Sequence, residues 1–415
     1  MSMSDLALPS PAPSGLRPST PASALQALTG QVRLRVAQGL PAIHNSRSEL
    51  AARLAPGRRA DDLPGLLAAL YTLCAHAHRS CAQQAIAAAR SAASVADAGQ
   101  AQALQLATLR EQMLRISHDW PRQLPGARLV TPSASLAVGL LRGCPVWQDR
   151  LAPEAQLAAM APWLATHWLG MTPAQWLAQH EADPTGWAAA WAQTWQAHSP
   201  VAALLHGLQQ QSPPAPQLAT PGATLDVLDQ PEQDLPALAS LMSGQPGFCL
   251  QPTWQGQPAS TGPWSRHHDP LRGQTDMADA TAWSLLLARL VEVLRLVSPA
   301  GLAWLSQGAL ALPEREGLAW CEMARGLLLH WVRLSADGQR VEAYRVLAPT
   351  EWNFHPGGAL ARSLAGLDPA APAAPLMSAS LQLAVAYDPC VDFVIELPDT
   401  DPMSSATPYQ GNPHA

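Results

Sequence analysis

Two short stretches of this sequence carry soft metal ligands that a fold could bring together. Near the C-terminal end, Leu383-Ala384-Val385-Ala386-Tyr387 runs into Asp388-Pro389-Cys390 and then Val391-Asp392-Phe393. The alternation of apolar and small residues predicts a strand entering a tight turn, with Pro389 fixing the backbone just before the thiol. Far upstream, Cys74, His78 and Cys81 stand at i, i+4 and i+7. On a helix that spacing lines all three along one face, where thiolate and imidazole could converge on a metal. The competing reading is structural: the cysteines pack between alanines and the histidines face solvent. A third group offers donors rather than ligands. Arg325 carries a planar fork suited to charge-assisted hydrogen bonds, and Thr350 adds a hydroxyl. Arg325 could equally cap a surface ion pair.

These residues need elements to position them. Leu327 to Leu334 and Val341 to Leu347 read as antiparallel strands joined by a turn at Ala336-Asp337-Gly338. The open end of that hairpin brings Arg325 close to Pro349-Thr350. Gln31 to Val36 alternates like a half-exposed strand, and Glu49 to Leu54 starts a helix that Gly57 ends. Asp61-Asp62 can begin the next helix, whose Leu63, Leu66, Leu67, Leu70 and Leu73 point inward and deliver Cys74. A further helix is expected over Ala101–Ser117, with Leu104, Leu106, Leu109, Met113 and Leu114 as core positions. It should end at His118-Asp119-Trp120-Pro121, where neighbours such as His118 and Asp119 face different directions. Trp187, Trp191 and Trp195 form a helical stripe better suited to core packing than to a cofactor. His267-His268 sit in a loop-like setting, and Ala280 to Val297 reads as a strong helix carrying Arg289 and Glu292.

Of the 415 residues, 48% are hydrophobic and 13% charged, enough apolar matter for a substantial core. The expected class is α+β and mostly helical. The net charge of −6 gives no basic footprint, so nucleic acid is not an expected partner. Six cysteines are too sparse for a disulfide framework and fit reduced thiols. The first residues lack the pattern of a secretory signal, and the apolar run from Leu285 to Val297 is broken by Arg289, Glu292 and Arg295. A cytoplasmic chain with no membrane span is expected. Residues 1–25 read as a disordered Pro/Ser-rich arm, 26–397 as one domain with a loop or linker near 209–221, and 398–415 as a flexible tail.

Five motifs together resemble the large subunit of nickel–iron hydrogenases, over roughly Gln31 to Glu396. The family's D-P-C-x-x-C-x-x-H is present as Asp388-Pro389-Cys390, with Phe393 replacing the second cysteine and Glu396 the histidine. Its C-x-x-C-x-x-x-H retains Cys74, while Ala77 replaces the second cysteine and Cys81 the histidine. Gly262, Pro263 and Arg266 match E-x-G-P-x-x-R, with Ser260 in place of the glutamate. Glu322, Arg325 and Gly326 match E-A-P-R-G, and Pro349, Thr350, Trp352 and Asn353 match P-T-x-W-N. Met323 and Ala324 depart from the pattern, and loss of the proline implies a looser turn.

The resemblance implies a large-subunit-like fold with a helical core and small peripheral β-hairpins. In that family two cysteine pairs hold a nickel–iron centre whose iron carries cyanide and carbon monoxide, and the second cysteine of each pair bridges both metals. Here the bridging positions are Ala77 and Phe393, which cannot ligate. Hydrogen turnover and stable nickel are therefore not expected. The pattern resembles the accessory maturation branch, the HupK/HoxV-type proteins. It implies a non-catalytic scaffold that holds iron with cyanide and carbon monoxide ligands transiently. Cys74 and Cys390 would be its ligands, with His78 and Cys81 as further candidates. Arg325, Pro349, Thr350, Glu322 and Phe393 would surround the bound group. The implied partners are the hydrogenase large-subunit precursor, a small carrier chaperone and other maturation proteins. A divergent metalloenzyme and a metal-free binding module on the same fold are the alternatives.

Overall fold

A computed structural model describes residues 30–91, 98–124, 141, 143–184, 186–210, 223–271 and 280–398, and the backbone of 409–411. The Pro/Ser-rich arm and residues 211–221 of the expected loop lie outside the described residues. In chain order the strands are β1 (Val32–Arg35), β2 (Ile43–Asn45), β3 (Ala223–Thr224), β4 (Ala259–Ser260), β5 (Gln307–Leu312), β6 (Glu316–Met323), β7 (Gly326–Leu334), β8 (Val341–Leu347), β9 (Phe393–Glu396) and β10 (Tyr409–Gly411). Helices account for most of the remaining described chain, so the α+β, mostly helical class holds.

The alternation in β6–β8 builds a four-stranded antiparallel meander, β5-β6-β7-β8. The expected hairpin is its second half, turned at Gly338 with φ of +68°. It is central rather than peripheral, since every residue of β7 except Arg333 is buried. One face meets the alanine-rich helix Ala75–Ala89 at very short range. A Cβ added to Gly317 would stand 2.1 Å from the Ala85 carbonyl oxygen, so small residues on both sides permit the approach. The other face covers a second apolar core that includes Leu235, Leu238 and Met242 of the helix Pro231–Gly244. A second sheet, in the order β10-β9-β1-β2, pairs β9 parallel to β1, with Phe393 opposite Val32. It ties the last segment of the domain back to the first.

Several expectations need correction. Leu383 to Tyr387 is not a strand but the last turns of a helix, Ala373–Tyr387. Ala379 to Tyr387 is buried without a break, so no polar stripe marks a period, and the alanines favour a helix. The chain end is not wholly a flexible tail, since β10 pairs antiparallel with β9. The helix Ala98–Leu114 continues through a wide π turn, Arg115–Asp119, into Trp120–Gln123, where Pro121 sits in the first turn. In that widened turn the neighbours His118 and Asp119 do meet, Nδ1 to Oδ1 at 2.8 Å. Leu114, expected in the core, is 40% exposed. Trp191 is buried and donates to the Leu169 carbonyl at 3.1 Å, and Trp187 and Trp195 pack, partly buried, against the main core. No helix among the described residues is long and apolar enough to cross a membrane.

Candidate functional site

Cys390 is placed by the end of the helix Ala373–Tyr387. Asp388 stops that helix in the left-handed region, φ +50°, a conformation aspartate tolerates better than most residues. Its buried carboxylate meets Arg115 at 3.0 Å, Arg289 at 3.3 Å and Arg325 at 3.4 Å. Burial alone would push this acid up, but Arg115, Arg325 and Arg289 together hold it below the usual aspartate range. Two residues on, the half-buried Cys390 meets Thr350 in the first turn of the helix Pro349–Asn353. The Thr350 hydroxyl donates to Cys390 Sγ at 3.1 Å and accepts from the Cys390 N–H at 3.3 Å.

Cys74 sits where a 3-10 turn, Thr72–Cys74, passes into the helix Ala75–Ala89. It is 4% exposed, and Arg325 donates to its sulfur at 3.4 Å and to Glu111 at 3.1 Å through the same Nη1. Burial raises the Cys74 thiol far above its ordinary value. Arg325 opposes that rise, while Glu111, Cys390 and Asp388 add to it. The thiol is therefore protonated at neutral pH and would surrender its proton to a metal. Burial also pushes Glu111 up to about 7 despite Arg325 and Arg115. The two cysteines thus share one electrostatic neighbourhood, Cys390 acting on Cys74 and both on Arg325.

The turn that presents Arg325 is held by buried donors. Arg266 donates to the Met323 carbonyl at 2.6 Å, and Gln112 and Arg289 donate to the Ala324 carbonyl at 2.9 and 3.0 Å. These buried donors are organised by Glu292, which accepts from both Arg266 and Gln112 at 2.5 Å. Gly326 follows with φ of +133°, and an added Cβ would stand 2.6 Å from Thr261 Cγ2. Glycine is required there on both counts. Asn353 and Thr261 exchange two hydrogen bonds, at 2.9 and 2.8 Å, and Thr261 also accepts from the Leu327 N–H. Three motif segments are thereby fastened to one another.

The other candidates fall into different places. The Glu322 carboxylate accepts from the N–H groups of Ser306 and His267, at 2.8 and 3.3 Å, and so anchors loops. Pro349 begins the Thr350 helix, and Phe393 is buried in β9 against the main core. Glu396 faces Arg33 at 3.3 Å near the surface. Cys74, His78 and Cys81 do not converge. His78 Nδ1 lies 2.9 Å from His330 Nε2, the other His330 nitrogen meets the Tyr344 hydroxyl at 2.7 Å, and Tyr71 stacks on His78. Cys81 Sγ lies 3.2 Å from Cys321 Sγ. Among the described residues, no group of three or more His, Cys, Asp or Glu side chains is arranged to hold a metal ion. His267 is turned to Asp229 at 3.1 Å.

The site also uses residues that carried no motif: Glu111, Arg115 and Gln112. Arg289 and Glu292 had a visible signal, as charges on a helix otherwise fit for complete burial; both are fully buried.

The family described as nickel-dependent hydrogenase matches residues 287–394. Hydrogenase expression/formation protein HoxV of Cupriavidus necator is 36% identical over 393 residues, covering 90% of this chain and 97% of that protein. Hydrogenase expression/formation protein HupV of Azotobacter chroococcum mcd 1 is 30% identical over 380 residues, covering 88% and 98%. Among solved structures, the reduced Ni-Fe-Se hydrogenase of D. vulgaris Hildenborough aligns with a TM-score of 0.50 at 15% identity, over 84% of this chain and 92% of that one. At that identity the likeness concerns the fold alone. Relatives matched almost end to end, on a hydrogenase large-subunit fold, show that the chain belongs to the hydrogenase expression/formation protein family that includes HoxV and HupV.

Proposed function

We propose that this chain is a non-catalytic scaffold in nickel–iron hydrogenase maturation. It holds an iron fragment bearing cyanide and carbon monoxide as cargo at Cys74 and Cys390, then releases it to the hydrogenase large-subunit precursor. The observation that carries this reading is a pair of thiols in one neighbourhood, each met by a donor, Arg325 on Cys74 and Thr350 on Cys390. Soft thiolates suit low-spin iron, and cyanide nitrogens accept hydrogen bonds. Arg325 Nε fits that need: it is buried, ion-paired with Asp388 at 3.4 Å, and without a hydrogen-bond acceptor. The names of the relatives support a role in hydrogenase formation.

Ala77 and Phe393 stand where bridging cysteines would be and add no ligand. Two thiolates leave positions on iron open to a partner. A small carrier chaperone completes the iron shell in a transient complex, and the cargo leaves when the precursor supplies its own thiolates. The test is infrared spectroscopy and iron analysis of protein purified anaerobically from cells containing the maturation machinery. Bands in the cyanide and carbonyl region, with iron, are expected. Stoichiometric zinc or nickel without those bands would instead mark a divergent metalloenzyme.

A further inference from the structure

A second arginine lies against the helical turn that holds Cys390. Arg47 follows β2 closely, its side chain is 10% exposed, and Nη1 stands 2.5 Å from Glu351 Oε1. Asn45 Nδ2 donates to the other Glu351 oxygen at 3.1 Å. Glu351 directly follows Thr350, the residue hydrogen-bonded to Cys390 Sγ. Arg47 is therefore anchored to the same helical turn that holds Cys390. Against the cost of burial, Glu351 first, and then Cys390, Tyr71 and Cys74 once ionised, favour its charged guanidinium, as Asp388 and then ionised Cys74 and Cys390 favour that of Arg325. Both arginines have carboxylate partners in the protein without cargo, Glu351 for Arg47 and Glu111 and Asp388 for Arg325.

Thiolate and cyanide ligands outweigh the charge of ferrous iron, so the bound unit is anionic. A buried anion needs paired charge or strong donors to offset its lost hydration. We propose that Arg47 is a second cargo-binding residue, offsetting this charge and donating to a cyanide nitrogen alongside Arg325. The proposal rests on the function proposed above and adds a residue to it. Glu351 is then the carboxylate that offsets the Arg47 charge when no cargo is bound, and the five guanidinium donors leave capacity for the cargo.

Arg47→Gln alone would leave Glu351 buried and unpaired, so the test uses Glu351→Gln and the double variant R47Q/E351Q. Full-length chains are purified anaerobically from cells containing the maturation machinery, with circular dichroism to verify the fold. Iron per chain and the positions of the cyanide bands are then measured. E351Q, which retains Arg47, is expected to hold iron close to the wild-type level. The double variant is expected to lose at least tenfold in retained iron and to shift the cyanide bands of any remainder. Wild-type iron with unshifted bands in the double variant would overturn the role of Arg47 alone. Loss in E351Q as complete as in the double variant would do the same, by making the ion pair merely structural. A wild-type protein without cyanide bands would overturn the proposed function, and this inference with it.

Discussion

Thr350 and Cys390, 40 residues apart in sequence, exchange two hydrogen bonds: the hydroxyl donates to the sulfur at 3.1 Å and accepts from the backbone N–H of the same cysteine at 3.3 Å. One side chain thus sets both the orientation of the thiol and the backbone that carries it. Thr350→Val keeps the shape and removes both bonds, leaving the Cys390 N–H without its acceptor. The expected cost is about 1–3 kcal/mol in chemical denaturation, with weaker iron retention. Thr350→Ser should restore most of both. A valine variant with wild-type stability and iron content would show that the pair does not position the thiol.

Cys74→Ser and Cys390→Ser should each leave the fold in place, at a cost of about 0.5–3 kcal/mol, while removing a soft ligand. The expected outcome is loss of iron and of cyanide and carbonyl bands, with circular dichroism unchanged. Native levels of iron in either variant would exclude that cysteine as a ligand.

Restoring the bridging positions should strengthen the hold on cargo at the expense of delivery. Ala77 and Phe393 are both buried, at 2% and 3% exposure. The double change A77C/F393C truncates a core phenylalanine, which costs on the order of 3 kcal/mol, so A77C/F393A serves as the stability-matched comparison. More iron per chain and lower hydrogenase activity in cells are expected from the four-cysteine form. Normal hydrogenase maturation with a filled four-cysteine site would mean that the missing thiols do not serve release.

Stability should depend on pH through buried histidines and a buried glutamate that act in opposite directions. Burial depresses His330 from 6.5 to about 3, and burial also lowers His78, helped by His330 and Arg47. Between about 3 and 6.5 the unfolded chain binds more protons at these positions, so their contribution fades as pH falls below 6.5. Glu111 works the other way. Its value is raised from 4.5 to about 7, so the folded chain binds the extra proton and gains stability as pH falls through that range. Denaturation midpoints measured from pH 8 to pH 5 should therefore fall more steeply in Glu111→Gln than in wild type, and less steeply in His330→Asn. Identical slopes in all three proteins would contradict both assignments.

What could be read from the chain alone is local or motif-borne. The β7–β8 hairpin follows from alternation around Asp337-Gly338, and the helix Ala282–Leu296 falls within the helix expected over Ala280 to Val297. The positions of Cys74, Arg325, Thr350 and Cys390 followed from spacing and resemblance. Other features depended on packing that local pattern does not encode. The stretch Ala379–Tyr387 of the helix before Cys390 is buried on every side, so its sequence shows no periodic contrast and imitates a strand. Spacing could align Cys74, His78 and Cys81 on one helix face, but not reveal that β6 and β7 offer Cys321 and His330 to two of them. Arg115, Arg289 and Arg325 come from distant elements to enclose Asp388, and Arg47 reaches Glu351 from across 304 residues. A buried charge is stable only beside its partner, and which partner lies within 3–4 Å is decided by the packing of segments far apart in the chain.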